Sequence, residues 1–534
     1  MSVRKALVLL VALSALTFLV ACGGGGPAPA NAVPPPSGSL GNSTLNGTYV
    51  FSISGTDVNG DPISIAGTLT ANGSGTITGG AIDINDVLFT APAANLQVGS
   101  SSYNISVDGR GLTQLNLPNN PFGSNNPITL DFVLQDNTHG LVSEFDQNAT
   151  GSGTIDLQTS GVTPTGSYAF ILSGGIVVSS TSVSTLASVG NFAVTSGAIA
   201  GSEDFNDGGF AYPGENLSGT IALGPSSTPS TTITTSQFGT QTYDVIAIDA
   251  THLKFIEMDP GATLSGDAFS QSSTVVPTGT LAFTLSGEIA SAPVAAGGLM
   301  VTDGAGNIGT GSNEDVNDAG TASPSPLPFT GTYTTTGGRS VLTLSGFTGG
   351  TMYAAYPSSG GLLLLEIDND GEMSGAAFSQ SPSATLASSQ GYALNLSGVN
   401  GGAQTGQATE VDDIAEFTAA SGGTLTGIID ENSIGQTVAS IPLTGNYSTP
   451  SGGRGTVAAN ANNGSTGTLE GVLSLTYYTV DGTTFPFIET DSGQVAAGVF
   501  VLQSPTGATA GIARHAMFVP HPLFHPHAAK QTKK

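Results

Sequence analysis

The sequence predicts an all-β protein made of four tandem antiparallel domains, each with about eight strands. One observation is a pattern that recurs four times: Glu-x-Asp, a Gly nine residues after the Glu, and a Gln five residues later. A second is composition, because only 9% of the 534 residues are charged while β-branched and aromatic residues fill short apolar runs. The copies are Glu144/Asp146/Gly153/Gln158, Glu257/Asp259/Gly266/Gln271, Glu366/Asp368/Gly375/Gln380 and Glu489/Asp491/Gly498/Gln503.

A third observation is the strand that opens each repeat, at 49–55, 168–174, 281–287 and 392–398. Its first, third and fifth residues are large and apolar, so one face is expected to pack inward. Sequentially adjacent antiparallel strands can close into a small barrel that leaves no exposed edge, which is the preferred architecture. A two-sheet sandwich is the alternative, and an eight-bladed propeller with two blades per repeat is a more distant one.

The predicted domain organisation follows the repeats. Short joins between them favour closely abutting domains that form a semi-rigid stalk. A terminal stretch rich in His, Pro and Lys is expected to be disordered. The predicted segments are a signal peptide at 1–21, a Gly/Pro-rich tether at 22–43, repeats at 44–160, 161–273, 274–383 and 384–506, and the tail at 507–534.

The N-terminus has the layout of a secretory signal, with Arg4 and Lys5 before an apolar stretch at 6–21. The stretch ends Leu-Val-Ala-Cys at 19–22, and Cys22 is the only cysteine of the chain. This ending resembles the lipobox of bacterial lipoproteins. The resemblance implies that acylated Cys22 anchors the protein to a lipid membrane, and Gly23 after it favours the outer membrane. With its repeats, the chain resembles the tandem-repeat lipoproteins of bacterial envelopes.

The net charge of −28 bounds the partners. So acidic a surface repels phosphate backbones, which excludes nucleic acid and makes bare anionic membranes poor partners. A glycan or protein ligand of unknown identity is expected instead.

An Asp-x-Asn pattern in each repeat presents two alternatives. Oxygen ligands at alternate positions can converge on Ca²⁺, although the EF-hand spacing is not met. Asp and Asn also close turns on their own backbone, and this is the favoured interpretation. Calcium is therefore the one cofactor considered, with these candidate ligands: Asp83, Asn85, Asp86, Glu203, Asp204, Asn206, Asp207, Glu314, Asp315, Asn317, Asp318, Asp430 and Asn432.

Each repeat also carries one cation: Arg110, Lys254, Arg339 and Arg454 in chain order. The economical prediction sets each cation against the Glu-x-Asp of its own repeat, whose two carboxylates share a strand face. Catalysis by these paired carboxylates is the less favoured alternative. The predicted structural ion pairs are Arg110 with Glu144 and Asp146, Lys254 with Glu257 and Asp259, Arg339 with Glu366 and Asp368, and Arg454 with Glu489 and Asp491.

Common catalytic motifs are missing from the sequence, which has no Gly-x-Ser-x-Gly, His-Glu-x-x-His, Walker loop or Cys-x-x-Cys. The sequence therefore favours a non-enzymatic, lipid-anchored envelope protein that serves as a surface scaffold, adhesion or binding module. A carbohydrate-binding array is the first alternative. A glycan hydrolase that uses the repeated carboxylates is the second.

Overall fold

The computed structural model describes residues 39–179, 182–223, 231–400, 409–461 and 471–505. The predicted signal peptide, Cys22, nearly all of the tether and the tail lie outside these ranges. Within them the regular secondary structure is strand, apart from one short 3₁₀ helix at Asn42–Thr44. No helix in these ranges is long and apolar enough to cross a membrane.

Barrel 1 is a ring of eight antiparallel strands with one additional strand. Strand β1 pairs with both β2 and β9, and β3 pairs with β2 and β5, so the ring closes; β4 pairs with β3 outside it. The strands are β1 (Asn46–Asp57), β2 (Pro62–Asn72), β3 (Thr76–Asp86), β4 (Ala93–Gln97), β5 (Ser101–Ile105), β6 (Arg110–Gln114), β7 (Thr129–Leu134), β8 (His139–Phe145) and β9 (Ala149–Leu157).

Barrels 2 and 4 are closed barrels in which eight strands pair in chain order. Barrel 2 comprises β10 (Gly166–Ser179), β11 (Ser182–Thr195), β12 (Ala198–Asp207), β13 (Phe210–Thr220), β14 (Thr231–Thr235), β15 (Gly239–Asp249), β16 (His252–Glu257) and β17 (Ala262–Ser270). Barrel 4 comprises β29 (Gln390–Asn400), β30 (Thr409–Ala419), β31 (Thr424–Ser433), β32 (Gln436–Tyr447), β33 (Arg454–Ala461), β34 (Val472–Tyr478), β35 (Thr484–Glu489) and β36 (Gln494–Leu502).

Barrel 3 closes in the same way but has a shorter third strand. Strand β20 connects β19 to β24, while β21 pairs with β19 and carries β22 and β23. Its strands are β18 (Gly279–Ile289), β19 (Ala292–Thr302), β20 (Asn307–Ile308), β21 (Asn313–Asp318), β22 (Thr321–Ala322), β23 (Leu327–Pro328), β24 (Thr330–Thr336), β25 (Arg339–Ser345), β26 (Met352–Ser358), β27 (Gly361–Glu366) and β28 (Gly371–Ser379).

The predicted fold class is confirmed: the described residues form four tandem antiparallel β domains, each closed into a barrel. The sandwich and propeller alternatives are wrong. Each opening strand lines its barrel as its alternation predicts, and Tyr49, Phe51 and Ile53 of β1 are all buried in the core of barrel 1.

The recurring Gly is required by close approach between the last and first strands of each barrel. A Cβ on Gly153 would lie 1.7 Å from the carbonyl oxygen of Ser52, and one on Gly498 would lie 2.2 Å from that of Asn395. Because the obstacle is backbone, no neighbouring side chain can move aside to make room. A side chain here would separate the two strands that close the barrel.

The four barrels pack side by side into a closed ring, and we call the packing surface between two neighbouring barrels a seam. The predicted stalk is therefore wrong, because barrel 4 packs back onto barrel 1. Apolar residues on the outer strand faces form each seam. Seam 1/2 contains Val50, Ala66, Ile246, Ile256 and Met258; seam 2/3 contains Ala169, Val189, Ala354, Leu363 and Leu365; seam 3/4 contains Ala295, Val399, Ile488, Val495 and Ala497; seam 4/1 contains Val133, Leu141, Ala393, Ile414 and Val499.

Candidate functional site

The asparagine of each Asp-x-Asn binds the next barrel of the ring. Asn432 donates from its side-chain nitrogen to the carbonyl oxygens of Glu144 and Ala149, both at 2.8 Å, and so closes seam 4/1. The other asparagines make the same contact one barrel along, and all four are fully buried. These contacts are Asn85 to Glu257 and Ala262 (2.7 and 2.8 Å), Asn206 to Glu366 and Gly371 (3.0 and 2.7 Å), and Asn317 to Glu489 and Gln494 (3.1 and 2.8 Å).

The glutamine that ends each repeat also reaches the next barrel. Its side-chain nitrogen donates to a backbone carbonyl in every seam, which explains why its spacing from the Glu-x-Asp recurs. The contacts are Gln158 to Ala247 (2.9 Å), Gln271 to Pro357 (3.0 Å), Gln380 to Gly453 (3.5 Å), and Gln503 to Asp108 and Leu134 (2.7 and 3.0 Å). The repeated residues thus hold the ring together.

Two of the predicted cations form ion pairs across seams. Arg454 donates from Nε and Nη2 to the carboxylate of Asp315, both at 2.7 Å, and Arg339 binds Asp204 in the same bidentate way. A tyrosine of the same barrel as the arginine donates to the same carboxylate: Tyr478 to Asp315 at 2.7 Å and Tyr356 to Asp204 at 2.5 Å. The predicted pairing of these arginines with the Glu-x-Asp of their own repeat is wrong.

Arg110 and Lys254 pair with other carboxylates as well, so the same correction applies. Arg110 binds Asp108 of its own barrel at 2.9 Å, with the carboxylate of Asp430 at 3.8 Å across seam 4/1. Lys254 binds Asp267 at 2.8 Å, and Nε2 of His252 lies 2.6 Å from the same carboxylate oxygen, which accepts its hydrogen bond.

The two acids of Glu-x-Asp have separate structural roles. Each Asp accepts a hydrogen bond from a backbone N–H in or beside the first turn-side residues of the sixth ring strand of its barrel, as Asp146 does from Thr129 at 2.7 Å. Although alternation places the Glu and the Asp on one face of the strand, the two residues therefore do not bind a common cation. The equivalent bonds are Asp259 to Thr242 (2.7 Å), Asp368 to Thr351 (2.6 Å) and Asp491 to Ser474 (3.0 Å).

Each Glu of the pattern points into its barrel, because it pairs across strands with a core residue: Glu144 with Leu130, and Glu366 with Tyr353. Glu144, Glu257, Glu366 and Glu489 are at most 1% exposed. Burial, with the adjacent Asp259, raises the pKa of Glu257 to about 8, and burial with Asp368 raises that of Glu366 to about 10. These carboxyl groups are sealed from any large substrate.

The remaining calcium candidates lie near the ends of β3, β12, β21 and β31. Asp86 caps a turn by accepting from the N–H of Leu88 at 2.9 Å. Glu203 accepts from Ser188 at 2.5 Å and Glu314 from the N–H of Thr348 at 2.6 Å, while Asp207 and Asp318 end their strands. Among the described residues, no group of three or more His, Cys, Asp or Glu is placed to hold a metal. Calcium binding by these segments stays a prediction.

Two open clefts provide room for a ligand. The barrel 1 cleft, of about 720 Å³, lies beneath the loop at 115–128 and is lined by uncharged groups: Thr76, Ser100, Ser102, Gln114, Asn116 and Asn120 are among them. The seam 2/3 cleft, of about 590 Å³, is lined by Asn191, Ser202, Gln271, Thr334, Thr336 and Arg339. Arg339 is thus the one charged residue among the described residues that line the two clefts.

Some of these residues were not singled out by the sequence pattern. Tyr356 and Tyr478 each lie three residues after the residue that pairs with the recurring Glu of their repeat, and only the strand pairing reveals this register. The barrel 1 cleft has a weak signal in sequence, since loop 115–128 is longer than the links after β14 and β25. Long ordered loops are often functional.

Comparisons with known proteins do not identify a family. No family model matches the chain, and no curated protein matches it. Among solved structures, intact Ap-TbpB with its N and C lobes matches at 10% sequence identity, covering 89% of this chain and 98% of that chain. Its TM-score of 0.17 is too low to carry an argument about fold or function.

Proposed function

We propose that this protein is a non-enzymatic, lipid-anchored component of the cell envelope whose ring of four barrels serves as a scaffold that binds surface ligands. The proposal rests on where the side chains of the repeated polar residues bind. Asn85, Asn206, Asn317 and Asn432 all bind carbonyls of the next barrel, and so build a platform rather than a reaction centre.

The buried carboxyl groups argue against the hydrolase alternative. Glycoside hydrolysis uses two carboxyl groups on either side of a bound sugar. Here the Glu of each pair faces the barrel core and the Asp accepts backbone N–H groups in a turn, so the pair does not line a cleft. Neither described cleft includes a member of any Glu-x-Asp.

The anchor can be tested by expressing the full chain and its Cys22→Ser variant in a Gram-negative host with an alkyne-tagged palmitate. We expect label in the original chain, recovery in the outer-membrane fraction, and loss of both in the variant. A chain released without label from the cell envelope would overturn the anchor. Measurable glycan hydrolysis that is lost in Glu366→Gln would overturn the non-enzymatic assignment.

Carbohydrate binding is the second candidate, favoured by the uncharged lining of the barrel 1 cleft. Side chains of Ser102, Gln114 and Ser124 make no hydrogen bond to the described part of the chain, so their polar groups face the cleft free. Hydroxyl and amide groups match the hydroxyls of a neutral sugar. We expect glycan-array signals to fall at least tenfold in Gln114→Ala/Asn116→Ala, while Gln97→Ala, on the neighbouring β4, leaves them unchanged.

A further inference from the structure

One aspartate of each barrel faces a seam: Asp83, Asp204, Asp315 and Asp430 in chain order. Oδ1 of Asp83 and of Asp204 accepts a backbone N–H of its own barrel, from Asn95 at 2.6 Å and Gly214 at 2.8 Å. Their second oxygens are left to the neighbouring barrel. The four seams can therefore be compared at one equivalent atom.

In seam 2/3 this second oxygen is doubly bonded to the next barrel. Oδ2 of Asp204 accepts from Arg339 Nε at 2.8 Å and from the hydroxyl of Tyr356 at 2.5 Å. Seam 3/4 repeats the arrangement with Arg454, Tyr478 and Asp315. A fully buried carboxylate thus receives both a positive charge and a hydrogen bond.

Seam 1/2 has neither partner. Asp83 is 0% exposed, and among the described residues no N–H or hydroxyl group donates to its Oδ2; the group beside it is the carboxyl of Asp244. The sequence of barrel 2 contains no arginine. The recurring Glu pairs with Tyr243 in barrel 2 and with Tyr353 in barrel 3. Counted from these residues, Ile246 is equivalent to Tyr356, and Asp244 is equivalent to Ala354.

Asp244 adds a second carboxyl group to this seam, as Asp131 does to seam 4/1, but here no arginine lies beside the pair. Burial raises the pKa of Asp83 to about 7, with repulsion from Asp244 as a further cause. Buried charges in proteins are paired with a counter-charge or coordinate a metal. The single cation of barrel 2, Lys254, is already bound to Asp267 at 2.8 Å.

We propose that a hard divalent cation of the calcium class binds between Asp83 and Asp244 and joins barrels 1 and 2 as Arg339 and Tyr356 join barrels 2 and 3. Carboxylate oxygens from two elements are the ligand type that such cations prefer. The calcium site predicted from the sequence takes its ligands from one Asp-x-Asn segment. The site proposed here differs, because Asp83 belongs to barrel 1 and Asp244 to barrel 2. The rival arrangement is a proton shared by the two carboxyl groups.

The test is thermal unfolding of the full chain, freed of metal with EDTA and dialysed, with Ca²⁺ or Mg²⁺ then added. We expect Ca²⁺ to raise the midpoint by about 3 °C or more through preferential binding to the folded chain. Asp244→Asn should abolish the rise. Asp131→Asn is the matched control, because Asp131 is the equivalent residue of barrel 1 and faces Asp430 beside Arg110.

A second variant keeps the test decisive if Asp244→Asn does not fold. Asp244→Ala/Ile246→Tyr copies the barrel 3 sequence into barrel 2 and gives Asp83 a hydroxyl donor, so it should fold and unfold at one midpoint with or without Ca²⁺. A rise that persists in either variant would place the ion elsewhere and overturn the proposal. The shared proton would be established instead by two results together: Ca²⁺ leaves the unfolding midpoint of the original chain unchanged, and Asp244→Asn is more stable than the original chain above pH 7.

Discussion

Seam 2/3 joins barrels that are consecutive in the chain, whereas seam 4/1 joins the last barrel to the first. Both use the same amide contacts, Asn206 and Gln271 in one and Asn432 and Gln503 in the other. The link in the chain is therefore not what builds a seam. Tandem copies of one unit close into a ring because the exit surface of each copy fits the entry surface of the next.

The cations mark the difference between the two seams. Arg339 reaches across seam 2/3 and keeps 21% of its side chain exposed, whereas the side chain of Arg110 is 1% exposed. Arg110 lies among carboxyl groups of both barrels, which are Asp108, Asp131, Glu416 and Asp430. The seam without a chain link thus depends on one deeply buried charge.

The largest expected effect comes from removing that charge. Arg110→Ala leaves its acidic neighbours buried without a cation, and we expect a loss of about 3–5 kcal/mol in unfolding free energy. Arg339→Ala should cost less, about 1–3 kcal/mol, because solvent reaches its position. Urea unfolding of both variants checks the order. Equal losses would show that burial does not distinguish the two arginines.

The second effect separates stability from ring closure. Asn432→Ala removes two buried hydrogen bonds to backbone carbonyls, and so does Asn206→Ala, so each should cost about 2–4 kcal/mol. Only Asn432→Ala acts at a seam that no chain link holds. We expect small-angle scattering to show a larger radius of gyration for Asn432→Ala alone. Expansion of both variants to the same extent would mean that the link does not restrain seam 2/3.

Much of the fold was readable from the sequence because it depends on local patterns. Alternation in the opening strands placed Tyr49, Phe51 and Ile53 in a core, whereas the close strand approach at the recurring Gly is known only from the structure. The number of repeats and their closure into barrels followed from the same spacing. These properties are set within one repeat, where sequence periodicity reports directly on which face is buried.

The ring could not be predicted, because its contacts join residues far apart in the chain. Asn432 and Glu144 are 288 residues apart, and no periodicity links them. The prediction that Arg339 pairs with Glu366 and Asp368 assumed that a repeat satisfies its own charges. The structure shows that Arg339 instead neutralises Asp204 of the preceding repeat. A recurring residue signals a recurring contact, without specifying whether that contact lies within a unit or between units.

The third effect concerns pH and again involves seam 2/3. Glu372 of barrel 3 faces Thr185 and the N–H of Gly208 from barrel 2, with Glu288 and Asp207 nearby, and burial raises its pKa to about 8. A raised pKa in the folded state adds stability below the unfolded value near 4.5, and this stability is lost as pH rises through 8.

The change to make is therefore Glu372→Gln, which keeps the size and removes the titration. Between pH 5 and 8 the variant should lose less stability than the original chain, by up to about 1.4 kcal/mol per pH unit. Unfolding by urea at four pH values measures the two slopes. Parallel slopes would mean that Glu372 is ionised in the folded protein.

The smallest effect tests the tyrosine that seam 2/3 has and seam 4/1 lacks. Tyr356→Phe removes the hydrogen bond to Asp204, but Asp204 keeps Arg339 and the N–H of Gly214, so we expect a loss of only about 1 kcal/mol. Tyr478→Phe should match it at seam 3/4, since Asp315 keeps Arg454. The matched control is Tyr212→Phe, whose ring packs on Phe238 within barrel 2. A loss above 3 kcal/mol in Tyr356→Phe would make the hydroxyl, rather than the guanidinium, the main partner of the seam carboxylate.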